Sequence, residues 1–164
     1  QCRPISRRGE MVDLVDERLG AALSNVAEPT GPNGRRGADD SAPQTAVIMV
    51  GRGSHDPCAQ ADMRLLSEVV SRRNPDAVFQ TAFYAMAEPK LPEVIDQVVG
   101  MNRFDRIVVQ PHLLFMGRLY EAIGRQVEQA QHRHPGVEFV VGDYLGPVDG
   151  VARAIAGRAG ICIR

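Results

Sequence analysis

The chain has 164 residues, 44% of them hydrophobic and 24% charged, the composition of a globular domain with a core of useful size. Nineteen Lys and Arg stand against 20 Asp and Glu, and a formal charge of -1 excludes a nucleic-acid or membrane-surface role driven by bulk electrostatics. No apolar run approaches the roughly 20 residues that span a bilayer, and no apolar stretch follows the basic start, so the expected setting is cytoplasmic.

The chain begins with Gln1 rather than Met, as expected of a fragment or a processed product. Residues 1–26 make a leading segment. In it Val12, Val15, Leu19 and Leu23 fall at helical spacing with acids toward the start, predicting a short amphipathic helix over 10–24. Residues 27–45 read as a flexible linker: Ala27 to Gln44 holds three glycines, three prolines and little that burial would stabilise. Cys2, Cys58 and Cys162 are scattered and odd in number, as expected of reduced thiols rather than a disulfide framework or zinc knot.

The main domain occupies 46–164, and in it strands alternate with helices. "TAVIMVG" is a buried strand ended by glycine. Asp56 and Pro57 then start a helix with Met63, Leu66, Val69 and Val70 inward, stopped by Pro75. "AVFQTAFYAM" is the second strand, and Leu91, Val94, Ile95, Val98 and Val99 mark the helix after Pro89, closed by Gly100. "DRIVVQP" is the third strand, followed by the loop "HLLFMG" and a helix facing inward through Leu119, Ile123, Val127 and Ala130. "VEFVVGDY" and the short helix "VDGVARAIA" close the series, leaving "GRAGICIR" as a tail. Such alternation predicts an α/β fold, a flavodoxin-like four-stranded parallel sheet with helices on both faces. Ligands of open sheets of this kind bind beyond the carboxyl ends of the strands. That singles out the loops Arg52–Asp56, Ala85–Pro89, His112–Arg118 and Asp143–Pro147.

Each polar residue in these loops admits a structural and a chemical reading. Gly51 and Gly53 either permit a tight turn or bring backbone amides to an anion. Ser54 and Asp56 suit helix capping, and Arg52 is either a solvated surface cation or a planar fork for carboxylates. His55 and His112 have the chemistry for metal ligation and proton transfer, and Glu88 is either a capping carboxylate or a general base. His132 and His134, at a helix end, are explained by the helix dipole alone. A nucleotide-binding reading of the Gly51–Ser54 turn is disfavoured, because no Lys-Ser/Thr ending follows and aromatic residues are only 5%.

Taken together, "VGRGSHDP", "AFYAMAEPKLPEVID" and "RIVVQPHLLFMGRLYEAI", in that order and spacing, resemble the CbiX group of sirohydrochlorin chelatases, over about Ala46 to Ile155. The resemblance implies ATP-independent insertion of a divalent metal, cobalt foremost and nickel or iron in relatives, into sirohydrochlorin on the way to cobalamin. Such insertion needs a ligand for the ion and a base for two pyrrole protons, roles that histidine can fill. The family pattern G-H-G-S after the first strand, and a second histidine beyond the glycine of the third loop, are replaced here by Arg52 and Leu119, and neither side chain can bind a metal. The resemblance is to the second, histidine-poor copy of long two-copy members, with residues 10–24 similar to the last helix of the first copy.

On that reading Arg52, Ser54 and Arg118 face the carboxylate-rich substrate. Glu88 and His112 are the candidate catalytic groups, and His55 and His112 the candidate metal ligands. The expected partners are sirohydrochlorin and a histidine-bearing chelatase half, or a second copy in a homodimer. Three functions remain open: a substrate-binding or supporting half of a cobalt chelatase, a self-sufficient chelatase using His55 or His112, and a non-catalytic tetrapyrrole or metal carrier or regulatory module.

Overall fold

The computed structural model describes residues 5–24 and 45–162. Cys2, the linker expected over 27–45 except Thr45, which is the first residue of β1, and the last two residues of the tail lie outside that range. A 3-10 turn (Ile5–Arg7) leads into α1 (Gly9–Ser24). Then follow β1 (Thr45–Gly51), α2 (Pro57–Arg73), β2 (Ala77–Phe83), α3 (Leu91–Gly100), β3 (Arg106–Pro111), α4 (Arg118–Arg133), β4 (Glu138–Val141) and α5 (Asp149–Cys162). All strand pairs are parallel, in the order β2-β1-β3-β4, so the expected four-stranded α/β sheet is present.

The central strand shows why the sheet needs helices on both sides. Val47 and Met49 point into one core, with α1, α2 and α5; Ala46, Ile48 and Val50 point into the other, with α3 and α4. A strand buried on both faces has no place for polar side chains, hence the unbroken apolar run. The chain leaves β1 through α2 toward β2 on one face, and leaves β3 through α4 toward β4 on the other. Neighbouring strands whose connections diverge in this way open a crevice at their carboxyl ends.

Several elements differ in extent or facing from the sequence pattern. In α1 the buried residues are Met11, Leu14, Val15, Leu19 and Ala22, while Val12 and Leu23 are only half-buried, so the stripe is turned toward α5 and α2. Val69 is exposed, because Met63, Leu66 and Val70 already fill the side of α2 that meets the sheet. The second strand ends at Phe83, before Met86 turns the chain at φ 56. The fourth ends at Val141, where the Gln110 side chain fills the space that a Cβ on Gly142 would need. The last helix runs on to Cys162 through Gly157 and Gly160, so residues 157–162 are helix rather than tail.

The segment before the linker is built into the domain. Its apolar face is wholly inside, with Met11, Val15 and Leu19 at 0% exposure. Polar clamps surround that face: Arg7 Nε donates to the buried Asp62 at 2.7 Å, Arg73 to Asp13 at 2.7 Å and Asn74 to Asp16 at 2.7 Å. The most consequential is Arg106, buried on β3, which donates to the terminal α1 carbonyls of Leu23 at 3.0 Å and Ala22 at 3.2 Å. Its Nε lies 3.3 Å from Glu138. A cation at the carbonyl end of a helix satisfies acceptors that the helix itself leaves open, and complements its dipole.

Arg106→Met keeps much of the stem and removes those donors. The expected cost is about 2 kcal/mol in urea unfolding, with faster amide exchange along α1 before the rest of the domain. Unchanged α1 protection would show that its apolar face alone holds it.

Candidate active site

The register of the sheet brings the candidate loops to one edge. Gly51 ends β1 opposite Phe83, and Val50 lies opposite Pro111, so the loops after β2 and β3 flank the loop after β1. Backbone hydrogen bonds continue past the strands: Tyr84 and Ala85 donate to Gly51 and Arg52 at 2.9 and 3.0 Å, and His112 donates to Val50 at 2.8 Å. Gly53, at φ +89, passes so close to Ala85 that any Cβ would run into its carbonyl oxygen. This second glycine is therefore required both by conformation and by contact.

Arg52, the first residue beyond the ladder, is exposed, and among the described residues its guanidinium has no partner. Arg118, also exposed and without a partner among the described residues, opens α4. There the positive end of the helix dipole disfavours a cation by roughly 0.3–1 kcal/mol. Neither guanidinium contributes visibly to the fold.

Ser54, His55 and Asp56 form the entry to α2. The Ser54 hydroxyl accepts from the Asp56 amide at 3.0 Å, its carbonyl accepts from Gln60 at 2.9 Å, and Asp56 accepts from Cys58 at 2.9 Å as the N-cap. His55 is exposed between them, and Cys58 is a free, exposed thiol. Glu88 is exposed on the neighbouring loop; its carboxylate lies 3.2 Å from Lys90 Nζ and its carbonyl accepts from Arg64 at 2.8 Å.

His112 is different in kind. Burial of the ring pulls its pKa from 6.5 to about 4, so the imidazole is neutral at ordinary pH. Its Nδ1 is sealed from solvent without a hydrogen-bond partner among the described residues. Nε2 is therefore the nitrogen left to meet a ligand, and for its lone pair to be free the ring proton must sit on Nδ1, where no protein acceptor waits. Among the described residues no group of three or more His, Cys, Asp and Glu is arranged to hold a metal ion. Leu119 packs, partly buried, against the core that includes α3 and α4.

Sequence reading missed the residues that shape the far side of the edge. Gln110, fully buried on β3, donates to the Asp143 carbonyl at 2.9 Å and that of Pro111 at 3.3 Å. Tyr120 donates to the Gly142 carbonyl at 3.3 Å and meets Tyr144 edge to face at 5.6 Å. Burial, then Asp143 and Tyr144, raise its pKa, so the phenol remains a donor. The available signal was a glutamine inside the apolar run "RIVVQP". A cleft between α1 and α5, lined in part by Glu10, Asp13, Arg18, Asp149 and Arg153, contains none of the candidate residues.

The CbiX family model matches residues 46–160. The chain is 26% identical over 144 residues to the sirohydrochlorin cobaltochelatase of Priestia megaterium, covering 88% of this chain and 43% of that protein. It is 28% identical over 117 residues to the sirohydrochlorin ferrochelatase of the same organism, covering 71% and 43%. The chain thus spans less than half the length of these relatives. Among solved structures, SirB from Bacillus subtilis with Fe3+ is similar at a TM-score of 0.71 and 22% identity, over 97% of this chain and 56% of that one. A putative cobalamin biosynthesis CbiX protein from Marinobacter aquaeolei VT8 gives 0.58 and 22%, over 73% and 97%. These two likenesses show the shared fold.

Two outcomes test the geometry. Gly53→Ala is expected to destabilise by about 2 kcal/mol or more, read as a lower urea midpoint, because strain and the Ala85 contact act together. Lowering the pH from 6.5 toward 4 should remove about 3 kcal/mol through His112, since over that range the unfolded chain binds a proton that the folded ring refuses. Identical pH slopes for the parent and His112→Gln would show that the ring is not desolvated.

Proposed function

The chain belongs to the CbiX family, and from that premise we propose that it is the substrate-binding or supporting half of a sirohydrochlorin chelatase, with cobalt as the inserted metal. A histidine-bearing half, or a second copy of this chain, completes the cleft. The observation that carries this reading is a pair of exposed arginines, Arg52 and Arg118, without partners among the described residues, at an edge where those residues also offer no metal-holding cluster. Arginine has no lone pair to give a metal, but its planar fork suits the carboxylates at the periphery of sirohydrochlorin. Ser54, bonded within the same turn, holds the loop shape that presents Arg52.

Insertion requires loss of water from a divalent ion and removal of two pyrrole protons. His112 is neutral and has Nε2 available, which favours a second reading, in which the domain inserts metal by itself with His55 or His112 as ligand and Glu88 as base. Two features weigh against it. A metal-bound imidazole almost always donates its other N–H to an acceptor, and Nδ1 of His112 faces none among the described residues. The Glu88 carboxylate is already matched to Lys90.

The test follows sirohydrochlorin absorbance with Co2+, Fe2+ or Ni2+ and no ATP. Alone, the chain should give little insertion over the uncatalysed rate; adding a histidine-bearing half should restore it, with Co2+ fastest. Arg52→Ala should weaken sirohydrochlorin binding roughly tenfold, as expected for one lost charge-assisted contact. Full activity of the chain alone, abolished by His112→Ala, would overturn the supporting-half reading in favour of the second. Binding without rate enhancement in any combination would make the domain a carrier.

A further inference from the structure

Among the described residues few large hydrophobic side chains are left in water, and the two most exposed are neighbours: Phe115 at 62% and Met116 at 63%. They lie at the tip of the β3–α4 loop, on one side of Arg52, and Met86, at 39%, is in the β2–α3 loop on the other side.

Loop tips ordinarily carry polar residues, so an apolar tip calls for a cause. The loop "HLLFMG" spends Leu113 and Leu114 on the fold, one packing against each of the two cores, and Leu113 anchors its base by accepting from the Leu145 amide at 2.8 Å. Phe115 and Met116 therefore project from a pinned base and contribute to neither core. Across the edge, Ala85 is pinned by Arg52 and crowded by Gly53, which sets the position from which Met86 turns outward. On the same loops are the cations Arg52 and Arg118, without partners among the described residues.

A surface that combines broad apolar contact with separated positive charges matches a flat conjugated ring whose face is apolar and whose rim carries carboxylates. A histidine-bearing protein half would account for the apolar groups but not, by itself, for arginines without partners. We infer that Phe115 and Met116, with Met86 opposite, form an apolar platform against one face of the tetrapyrrole macrocycle, while Arg52 and Arg118 take rim carboxylates. The thioether of Met116 and the ring of Phe115 suit such a π-face. This inference rests on the chelatase reading and assigns to the loop tips the part of the affinity that charge does not supply.

The experiment titrates metal-free sirohydrochlorin into the whole chain, in low and high salt, for the parent, Phe115→Ser/Met116→Ser and Arg52→Ala. Both sets of residues are exposed, and unchanged thermal melting checks the fold. The platform predicts about tenfold weaker binding of the double variant at both salt concentrations, with the parent's salt dependence retained; Arg52→Ala should instead flatten that dependence. Met86→Ser is expected to give a smaller loss of the same kind. If the parent binds and the double variant binds equally well, the platform is wrong while the chelatase reading stands. If the double variant loses only its association with a histidine-bearing half, the tips are a protein contact and the inference is also wrong. Failure of the parent to bind sirohydrochlorin, alone or with that half, overturns both.

Discussion

The rest of the structure depends on the burial of β1 on both faces. Its residues pair on either side with β2 and β3, and its side chains divide between two cores, so nothing polar can enter until Gly51 has been passed. The first residue free of that constraint is Arg52. A cation there is exposed by position, yet its backbone is still fastened to Ala85. Gly53 then turns the chain at φ +89, with no room for a Cβ beside the Ala85 carbonyl. An exposed charged side chain thus leaves a backbone that is hydrogen-bonded on one side and closely packed at the next residue.

The same strand separates the two faces on which the helices sit. One core collects α2, α5 and the leading helix α1; the other collects α3 and α4. The CbiX match begins at residue 46, after α1, yet without α1 the first core would lose Met11, Val15 and Leu19 and expose the residues beneath them. Arg106 on β3 ties the end of that helix to the sheet from inside. A leading segment outside the family match is therefore part of the packing of one of the two cores.

At that edge the chemistry is unevenly distributed. His112 is half-buried, with its Nδ1 sealed and its ring neutral; the arginines are exposed and, among the described residues, unpaired; and the two most exposed large apolar side chains lie in a neighbouring loop. Such a set puts cations and apolar surface side by side, and among the described residues no group of three or more His, Cys, Asp and Glu stands with it. That balance is what the supporting-half reading and the platform at Phe115 and Met116 have in common.

By itself the sequence determined the alternation of strands and helices, because periods of two and 3.6 follow from local backbone geometry. The unbroken run in β1, the Asp56 cap, the stop before Pro75 and the three motif segments were all legible there, as was the family that Arg52 and Leu119 depart from. It did not determine which side of α1 faces in, since Val12 and Leu23 are as apolar as Leu14 and Ala22, and only contact with α2 and α5 chooses between them. Nor could it show that Gln110 anchors a loop more than thirty residues away, that Gly53 is required by Ala85, or that Nδ1 of His112 is sealed from solvent while His55 is exposed. Those facts depend on which groups lie next to one another across the fold. Proximity between distant residues is set by packing, on which neither spacing nor residue type has a local hold.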